Sequence, residues 1–342
     1  MRMKKILCTI LFFSMLLSLF SCTDGESGKA NGEVKKRSFY NYFDTAGTFY
    51  DYTNSSDKEF EALADRVESE LFEYHMLYDI YHEYEGITNI ATLNKTAGTG
   101  AKKVDKKIID LLLFAKEMYE KTDGKLNVAF GAVLSIWHEY RQTGTTLPPM
   151  ADLLEASQNT DINSVTIDEE NSTVELTNPN MSLDVGAVGK GFAVEAVAKM
   201  LEAENKNGFV LDVGGNLRTI GTKPSGSGWT AGVINPDRTS MQSYVYTLTI
   251  SNSALVTSGS YERFYTVEGV NYHHIINPET LMPENYYLSV SIKSNSSATS
   301  DALSTAIFNM KYEEAESFVN QHPDIFVVLV MPDGEVLTLG KQ

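Results

Sequence analysis

The stretch LDVGAVGKGFAVEAV, residues 183–197, places three glycines and a lysine between a short apolar run and a helix-like segment. Its glycines, Gly186, Gly189 and Gly191, follow a G-x-x-G-x-G order, whereas the dinucleotide-binding fingerprint is G-x-G-x-x-G. A P-loop needs serine or threonine after its lysine, and Lys190 is followed by glycine. Neither template fits, so the glycines alone predict only a tight strand-to-helix turn.

Two charged side chains make this turn a candidate ligand site. Lys190 lies near the start of the predicted helix, where the positive end of the helix dipole disfavours a cation unless an anion is nearby. Asp184 precedes the glycines and could hold either that lysine or a ligand donor. An acid, exposed backbone and a base at one helix N-terminus suit a phosphate or a ribose.

Apolar periodicity on both sides of this stretch predicts an α+β fold. One helical face repeats from Phe60 to Tyr74, and a second helix is expected over Val104–Lys121, capped by Gly124. SVTID and TVELT alternate as a hairpin around residues 169–172. Further strands are expected at GFVLDV, WTAGVI, YVYTLTI, LSVSIK and IFVVLVM, and further helices at FAVEAVAKMLEAE, SDALSTAIFNM and YEEAESFVN. This pattern predicts a single compact unit of mixed or antiparallel sheets with flanking helices.

The first residues predict export. Basic residues precede an apolar run, Ile6–Phe20, that ends in LFSC and is shorter than the ~20 residues of a membrane span. LFSC resembles the lipobox of bacterial lipoproteins. We therefore expect a lipoprotein signal peptide over residues 1–21, a flexible tether over 22–36 that begins at a lipidated Cys22, and a folded domain over 37–342. The alternative is an ordinary cleaved signal with an incidental cysteine.

The charge balance limits the partners. The predicted mature chain has 25 basic against 45 acidic side chains, a formal charge of −20, because three of the 28 basic residues lie in the signal. This excess argues against a nucleic-acid partner and against binding anionic lipid through the protein surface. Cys8 and Cys22 are the only cysteines, so the folded domain has no disulfide framework. A phosphorylated ligand would need cations, backbone amides or a metal ion around it.

Three further segments carry candidate ligand groups. Asp301 and Thr305 lie four residues apart at the start of a predicted helix and offer oxygen ligands that suit Mg²⁺. Spacing alone favours the alternative, in which Asp301 caps the helix and Thr305 bonds back to a carbonyl. His273 and His274 point to opposite faces of a strand, so at most one enters a given site, and either could be a satisfied core histidine. Residues 257–259, Thr-Ser-Gly, do not form a nucleophile elbow and suit a turn or a ligand-binding hydroxyl.

Taken in order, these segments resemble one family, the FAD:protein FMN transferases, which are ApbE-type flavin-transferase lipoproteins. The similarity runs from about residue 44 to residue 340 and rests on AGTFY, LDVGAVGKGFAVE, LDVGGNLRTIG, WTAGVINP, VTSGSYERF, YHHIINPET and SDALSTAIFNM. The chain departs from the family pattern over residues 126–132, where Leu126-Asn127 replaces Phe-Asp, and Ala129 and Ala132 replace Thr and Pro. Leu281 stands where a glycine is usual, so that turn must avoid a positive φ or distort.

The resemblance implies that FAD binds with Mg²⁺, that FMN is transferred to a threonine hydroxyl of a target protein, and that AMP is released. The implied metal ligands are Asp301, Thr305 and the backbone carbonyl of Ala187. The implied FAD contacts are Gly47, Thr48, Asn94, Asp184, Lys190, Gly214, Gly215, Asn216, Ser258 and His274. A base must accept the threonine proton, and the candidate catalytic residues are His274 and Asp301.

The resemblance also implies partners. Family members modify subunits of membrane electron-transfer complexes such as the Na⁺-pumping NADH:quinone reductase and Rnf-type complexes. A lipid anchor at Cys22 would hold the protein on the periplasmic side of the inner membrane. Alternatives are a Mg²⁺-dependent FAD pyrophosphatase giving FMN and AMP, a non-catalytic flavin-binding lipoprotein, and a structural lipoprotein without FAD.

Overall fold

The computed structural model describes residues 33–342, so the predicted signal peptide and most of the predicted tether lie outside the described residues. The helices are α1 (Asp57–Tyr78), α2 (Ile90–Lys95), α3 (Lys106–Lys121), α4 (Gly131–Thr143), α5 (Met150–Ser157), α6 (Gly189–Ala203), α7 (Ser297–Phe308) and α8 (Tyr312–Gln321). The strands are β1 (Lys35–Tyr42), β2 (Thr45–Asp51), β3 (Lys102–Lys103), β4 (Val165–Asp168), β5 (Thr173–Leu176), β6 (Phe209–Val213), β7 (Asn216–Ile220), β8 (Trp229–Ile234), β9 (Tyr244–Ile250), β10 (Ala254–Gly259), β11 (Phe264–Val267), β12 (Val270–His273), β13 (Ser289–Ser294), β14 (Phe326–Val330) and β15 (Val336–Gly340). β1 begins at Lys35, so the last two residues of the predicted tether belong to the folded unit.

An eight-stranded antiparallel sheet forms the centre of the fold. Its strand order is β1-β2-β6-β7-β10-β13-β14-β15. A three-stranded sheet, β3-β5-β4, and two hairpins, β8-β9 and β11-β12, form smaller antiparallel sheets. The predicted α+β class is confirmed, and every strand pair between residues 33 and 342 is antiparallel rather than mixed. The site described below is built where β7, β10 and β13 meet α6 and α7.

The central sheet is covered on both faces. Alternation along β6 shows this, because Leu211 packs in the main core with the helices, whereas Val210 packs in a second cluster with Trp229 and Leu248 of the β8-β9 hairpin. α6 and α7 lie on the helical face. The two helices lie side by side, with α6 over β6 and β7, and α7 over β7, β10 and β13.

The predicted helices form, with one corrected boundary. Ser56 and Glu59 make a capping box for α1, which buries Phe60 and Leu71 as expected. The C-cap residue of α3 is Thr122 rather than Gly124, which follows two residues later with φ +78° and donates its N–H to the Tyr119 carbonyl at 2.9 Å. In residues 33–342, no helix combines the length and apolar character that crossing a membrane requires.

A separate hydrophobic cluster supports the β11-β12 hairpin that leads into His274. It contains Trp137, Tyr265 and Leu281, and the indole N–H of Trp137 donates to the carbonyl of Leu281 at 2.9 Å. Leu281 has φ +60°, so the turn keeps the left-handed conformation usual for glycine, and the expectation that it avoids a positive φ is wrong. Burial of the leucine side chain, which is 5% exposed, compensates for the backbone strain.

This balance gives a stability prediction for Leu281→Gly. Glycine removes about 1–2 kcal/mol of left-handed strain but also removes a buried side chain whose loss alone costs about 2–5 kcal/mol. We expect a net loss of about 2 kcal/mol in the free energy of unfolding, measured by urea titration. The control is Val270→Ala, which lies on the exposed face of β12 and is expected to change stability little. A more stable glycine variant would show that strain outweighs burial.

Candidate active site

Gly191 brings α6 and α7 into close contact. Its backbone N–H donates to Asp301 Oδ2 at 2.7 Å, and a Cβ at this position would lie 2.3 Å from the Asp301 Cβ and 2.6 Å from the Ser297 carbonyl oxygen. The glycine is therefore required by helix packing. The 183–197 segment is thus a helix-packing turn whose backbone holds a carboxylate from α7.

The two helices run antiparallel at this contact. The Ser297 N–H donates to Glu195 at 2.7 Å, and one turn further along both helices Gly191 meets Asp301. Ala187 lies in the turn directly before α6, and Thr305 lies one turn after Asp301 on α7. The contact therefore places Asp301 against the start of α6, and the joint role of Asp301, Thr305 and Ala187 as metal ligands stays a prediction.

The donor groups of these residues fit a divalent cation. Within the described residues, the Thr305 hydroxyl and the Ala187 carbonyl have no hydrogen-bond partner, so the expected bond from Thr305 back to a carbonyl does not form. No group of three or more His, Cys, Asp or Glu residues between 33 and 342 has the arrangement of a metal site. One carboxylate with hydroxyl and carbonyl oxygens suits Mg²⁺, which commonly takes its remaining ligands from substrate phosphates and water.

Asp301 is positioned by three donors and does not cap its helix. Ser296 is the N-cap of α7. Besides Gly191, Asp301 accepts hydrogen bonds from Lys190 Nζ at 3.4 Å and Asn216 Nδ2 at 3.3 Å. Lys190 is thus paired with Asp301. The sequence had suggested Asp184 as a possible partner of this lysine.

Two of the predicted FAD contacts, Asn216 and Asn94, already use their side chains in hydrogen bonds within the protein. The Asn216 side chain is 0% exposed, and its carbonyl accepts from Ser297 Oγ at 3.2 Å, so any contact with FAD falls to its backbone. Asn94 exchanges two hydrogen bonds with the backbone of Leu183, at 2.9 and 2.7 Å, and so fixes the chain just before Asp184. Whether Asn94 also touches FAD stays a prediction. Ser258 lies beside α7, with its hydroxyl 2.8 Å from that of Ser304.

The close approach of the helices predicts the effect of two glycine substitutions. Gly191→Ala is expected to push α7 outward, to reduce stability by about 1–3 kcal/mol, and to raise the Mg²⁺ concentration for half-maximal activity at least about tenfold. Gly189→Ala is the matched control, because its Cβ would meet nothing nearer than Tyr78 at 3.4 Å. Thermal unfolding and Mg²⁺ titration measure both variants. Equal behaviour of the two would contradict the packing role of Gly191.

The AGT and GGN segments meet at one end of the sheet. Gly214 (φ +52°) and Gly215 (φ +85°) make a two-residue turn between β6 and β7 that needs glycine at both positions. Gly47 and Thr48 pair with β6 directly before this turn, and Thr48 lies opposite Asp212. Burial raises the pKa of Asp212 to about 6, although Lys190 and the Gly215 N–H oppose the shift. Sequence reasoning missed Asp212 because it stands inside an ordinary strand pattern.

The raised pKa of Asp212 predicts a pH-dependent stability effect. Because the folded state holds this proton more tightly than the unfolded state, stability falls as pH rises from about 4 through about 6. After allowance for solvent screening, Asp212→Asn is expected to stabilise the protein by about 1–2 kcal/mol at pH 7. At pH 4 it should have no effect. Thermal unfolding at both pH values tests this, and an equal effect at pH 4 and pH 7 would refute it.

A second group of charged residues surrounds Asp184 and His274. Burial raises the pKa of Asp184, and its Oδ1 accepts from the Gly186 N–H at 2.9 Å. His274 Nδ1 lies 3.2 Å from the Arg263 carbonyl. Because a carbonyl can only accept, Nδ1 carries the proton and Nε2 has a free lone pair. Burial, with the charges of Arg263 and Arg141, lowers the pKa of His274 to about 3.

The partner histidine is structural. His273 is buried, its Nε2 lies 3.0 Å from the Glu284 carbonyl, and its ring packs against Phe308. His273 is thus occupied in the core, and the entry of His274 into the site stays a prediction. Arg141 and Tyr81 were missed by sequence reasoning because neither lies in a diagnostic spacing. Tyr81 is 54% exposed and lies near Arg263.

The divergent residues 126–132 are fastened to the glycine segment. The Val128 carbonyl accepts from the Asp184 N–H at 2.8 Å, and the Gly131 N–H donates to the Ser182 carbonyl at 3.1 Å. Asn127, which stands where the family has aspartate, keeps a capping role by accepting from the Ala129 N–H at 2.8 Å. A cavity of about 490 Å³ adjoins this segment and is lined by Ala132, Ser135, Ile136, Asp152, Glu155, Ala156, Asn159, Asn180 and Ser182. Two carboxylates in its wall make it unsuited to a pyrophosphate.

Comparison with known proteins identifies the family. The sequence profile of the ApbE family matches residues 46–329. The chain belongs to the ApbE family. It is 33% identical to the FAD:protein FMN transferase of Treponema pallidum over 261 residues, and this aligned region covers 72% of each chain. It is 29% identical over 283 residues to the FAD:protein FMN transferase of Klebsiella pneumoniae, covering 82% of this chain and 86% of that protein.

The fold is shared with a solved member of the ApbE family. The ApbE protein of Thermotoga maritima superposes with a TM-score of 0.78 at 24% identity, covering 90% of this chain and 97% of that chain. The predicted ApbE-like fold is therefore confirmed. The family also confirms the predicted enzyme class, a flavin transferase.

Proposed function

We propose that this ApbE-family protein is a Mg²⁺-dependent enzyme that transfers FMN from FAD to a threonine hydroxyl of an acceptor protein and releases AMP. The observation that carries the proposal is the position of Asp301, held by Gly191 and Lys190 at the start of α6, in a chain similar to FAD:protein FMN transferases over most of its length. In the reaction, the threonine oxygen bonds to the phosphorus of the FMN phosphate. The bond from that phosphorus to the bridging oxygen breaks, and AMP leaves with the bridging oxygen.

The residues of the α6–α7 contact would bind the phosphate end of FAD. Asp301, Thr305 and the Ala187 carbonyl would hold Mg²⁺, which when bound offsets the charge that develops on the phosphate oxygens. Lys190 adds a fixed positive charge, and the turn at Gly214–Gly215 exposes backbone at the same end of the sheet. These few groups suffice to bind a pyrophosphate in an acidic protein.

His274 is the better of the two candidate bases. The oxygens of Asp301 already accept hydrogen bonds from Gly191, Lys190 and Asn216, and the proposed Mg²⁺ would occupy the same carboxylate. His274 is neutral and has Nε2 free to accept a proton. We therefore propose His274 as the base and Asp301 as the metal ligand.

The test uses the purified protein in detergent with FAD, Mg²⁺ and a soluble domain of a Na⁺-pumping NADH:quinone reductase subunit that carries a target threonine. Intact-mass spectrometry follows the acceptor while chromatography follows AMP and free FMN. An FMN adduct with an equal amount of AMP, both lost in EDTA, supports the proposal. AMP with only free FMN would make the protein an FAD pyrophosphatase, and bound FAD without either product would make it a flavin carrier.

We also propose that the protein is exported and anchored at Cys22, on the periplasmic side of the inner membrane, where subunits of the acceptor complexes are accessible. This proposal rests on the N-terminal sequence, which lies outside the described residues. Cys22→Ser is expected to move the protein from the membrane to the soluble fraction and to abolish incorporation of labelled palmitate. Retention in the membrane would refute the anchor.

A further inference from the structure

Two arginines near His274 lack acidic partners. Among residues 33–342 the arginines in ion pairs are Arg37, Arg66, Arg218 and Arg238. The other two, Arg141 and Arg263, contact no carboxylate in the described part of the chain. In a chain with 45 acidic and 28 basic side chains, two neighbouring arginines without carboxylates indicate a site that accepts an anion.

The elements that carry the two arginines pack together, because Trp137 of α4 contacts Tyr265, two residues after Arg263, with ring centroids 6.4 Å apart. Burial and the charge of Arg263 lower the pKa of Arg141. Besides burial, the charges of both arginines lower the pKa of His274, and they oppose the raised pKa of Asp184. Arg141 donates to His138 Nδ1 at 3.0 Å, and Arg263 donates to the Asp44 carbonyl at 3.5 Å. These contacts orient the guanidinium groups, and neither acceptor is a carboxylate.

The phosphates of FAD are served by other groups. Lys190 contacts Asp301, and its charge opposes the raised pKa of Asp212. The charges of the two arginines instead affect the pKa of Asp184 and of His274, so the cations belong to two different charged clusters. FAD carries about two negative charges, both on its pyrophosphate, and the proposed Mg²⁺ with Lys190 accounts for them. The arginine pair is therefore available to a second anion.

We propose that Arg141 and Arg263 bind a carboxylate of the acceptor protein, on a residue close in sequence to the target threonine. This rests on the transferase function proposed above. Arginine matches a carboxylate through paired N–H donors, and Arg263 is exposed where an incoming protein can reach it. Because His274 adjoins both arginines, a carboxylate bound there brings neighbouring acceptor residues to the base. The bound anion also offsets the charges that lower the pKa of His274, so docking makes the imidazole a stronger base.

The test compares Arg141→Gln and Arg263→Gln with Arg238→Gln, a control at an exposed arginine that pairs with Glu262. The acceptor is the soluble reductase domain used above. Each site variant is expected to raise the KM for the acceptor about tenfold and to leave the Kd for FAD unchanged within about threefold. In Arg263→Glu the acceptor KM rises further, and an acceptor with lysine in place of its acidic residue near the threonine restores transfer.

Three results would overturn the proposal. An unchanged acceptor KM in both glutamine variants shows that the arginines do not bind the acceptor. A weaker Kd for FAD with an unchanged acceptor KM assigns them to FAD instead. If the wild-type protein itself releases AMP without modifying the acceptor, the transferase function fails, and this is seen before any variant is compared.

Discussion

Asp301→Ala is expected to reduce Mg²⁺-dependent transfer by at least about a thousandfold, since it removes the only carboxylate among the proposed metal ligands. The same change leaves three donors, on Gly191, Lys190 and Asn216, without their acceptor. Asp301→Asn separates these effects, because an amide oxygen can still accept the Gly191 N–H but carries no charge for the metal. We expect the asparagine variant to fold normally and to be almost as inactive.

The assay for Asp301 is AMP release at saturating FAD over a Mg²⁺ titration, with thermal unfolding of each variant alongside. Asp324→Ala, an exposed aspartate before β14, serves as the control and should behave as the wild type. Wild-type activity in Asp301→Asn would exclude Asp301 as a metal ligand. Activity that is lost in proportion to unfolding would make its role structural.

The sequence pattern predicted those helices and strands whose own residues are apolar where they are buried. β6 and β14 are apolar runs, and α1 repeats its apolar face, so each was predictable. β7 was not, because it is fully buried yet contains Asn216, Arg218 and Thr219. Arg218 is tolerated there because Glu195 and Glu202 of α6 neutralise it, at 3.0 and 2.7 Å. Partners supplied by another element leave no signal in the strand itself.

The same reason limited the prediction of the site. The family resemblance named Asp301, but residue spacing favoured a helix cap, since the donor from Gly191 lies 110 positions away in sequence. Arg141 and Arg263 also come from distant segments, so neither looked unusual alone. Only the three-dimensional arrangement shows that both lack a carboxylate.

His274→Gln is expected to reduce the rate of FMN transfer by about 10² to 10⁴ while leaving the Kd for FAD nearly unchanged. Glutamine can occupy similar space and can donate to the Arg263 carbonyl, as His274 Nδ1 does, but it cannot accept a proton. His322→Gln is the matched control, because its Nδ1 also bonds a backbone carbonyl, that of Phe318, at the end of α8. Single-turnover measurement of the acceptor adduct separates the chemical step from substrate binding.

The pH profile gives a second test of His274. Because its pKa in the FAD-free protein is about 3, the imidazole is neutral at pH 5 and above. Its protonation should therefore not lower kcat/KM for FAD as pH falls from 8 to 5, whereas an unperturbed histidine would do so near pH 6.5. An acidic limb near pH 6.5 that disappears in His274→Gln would show that the arginines do not depress this pKa. If His274 is a neutral base held beside two arginines, His274→Gln should lose the transfer rate, and the wild-type profile should show no acidic limb near pH 6.5.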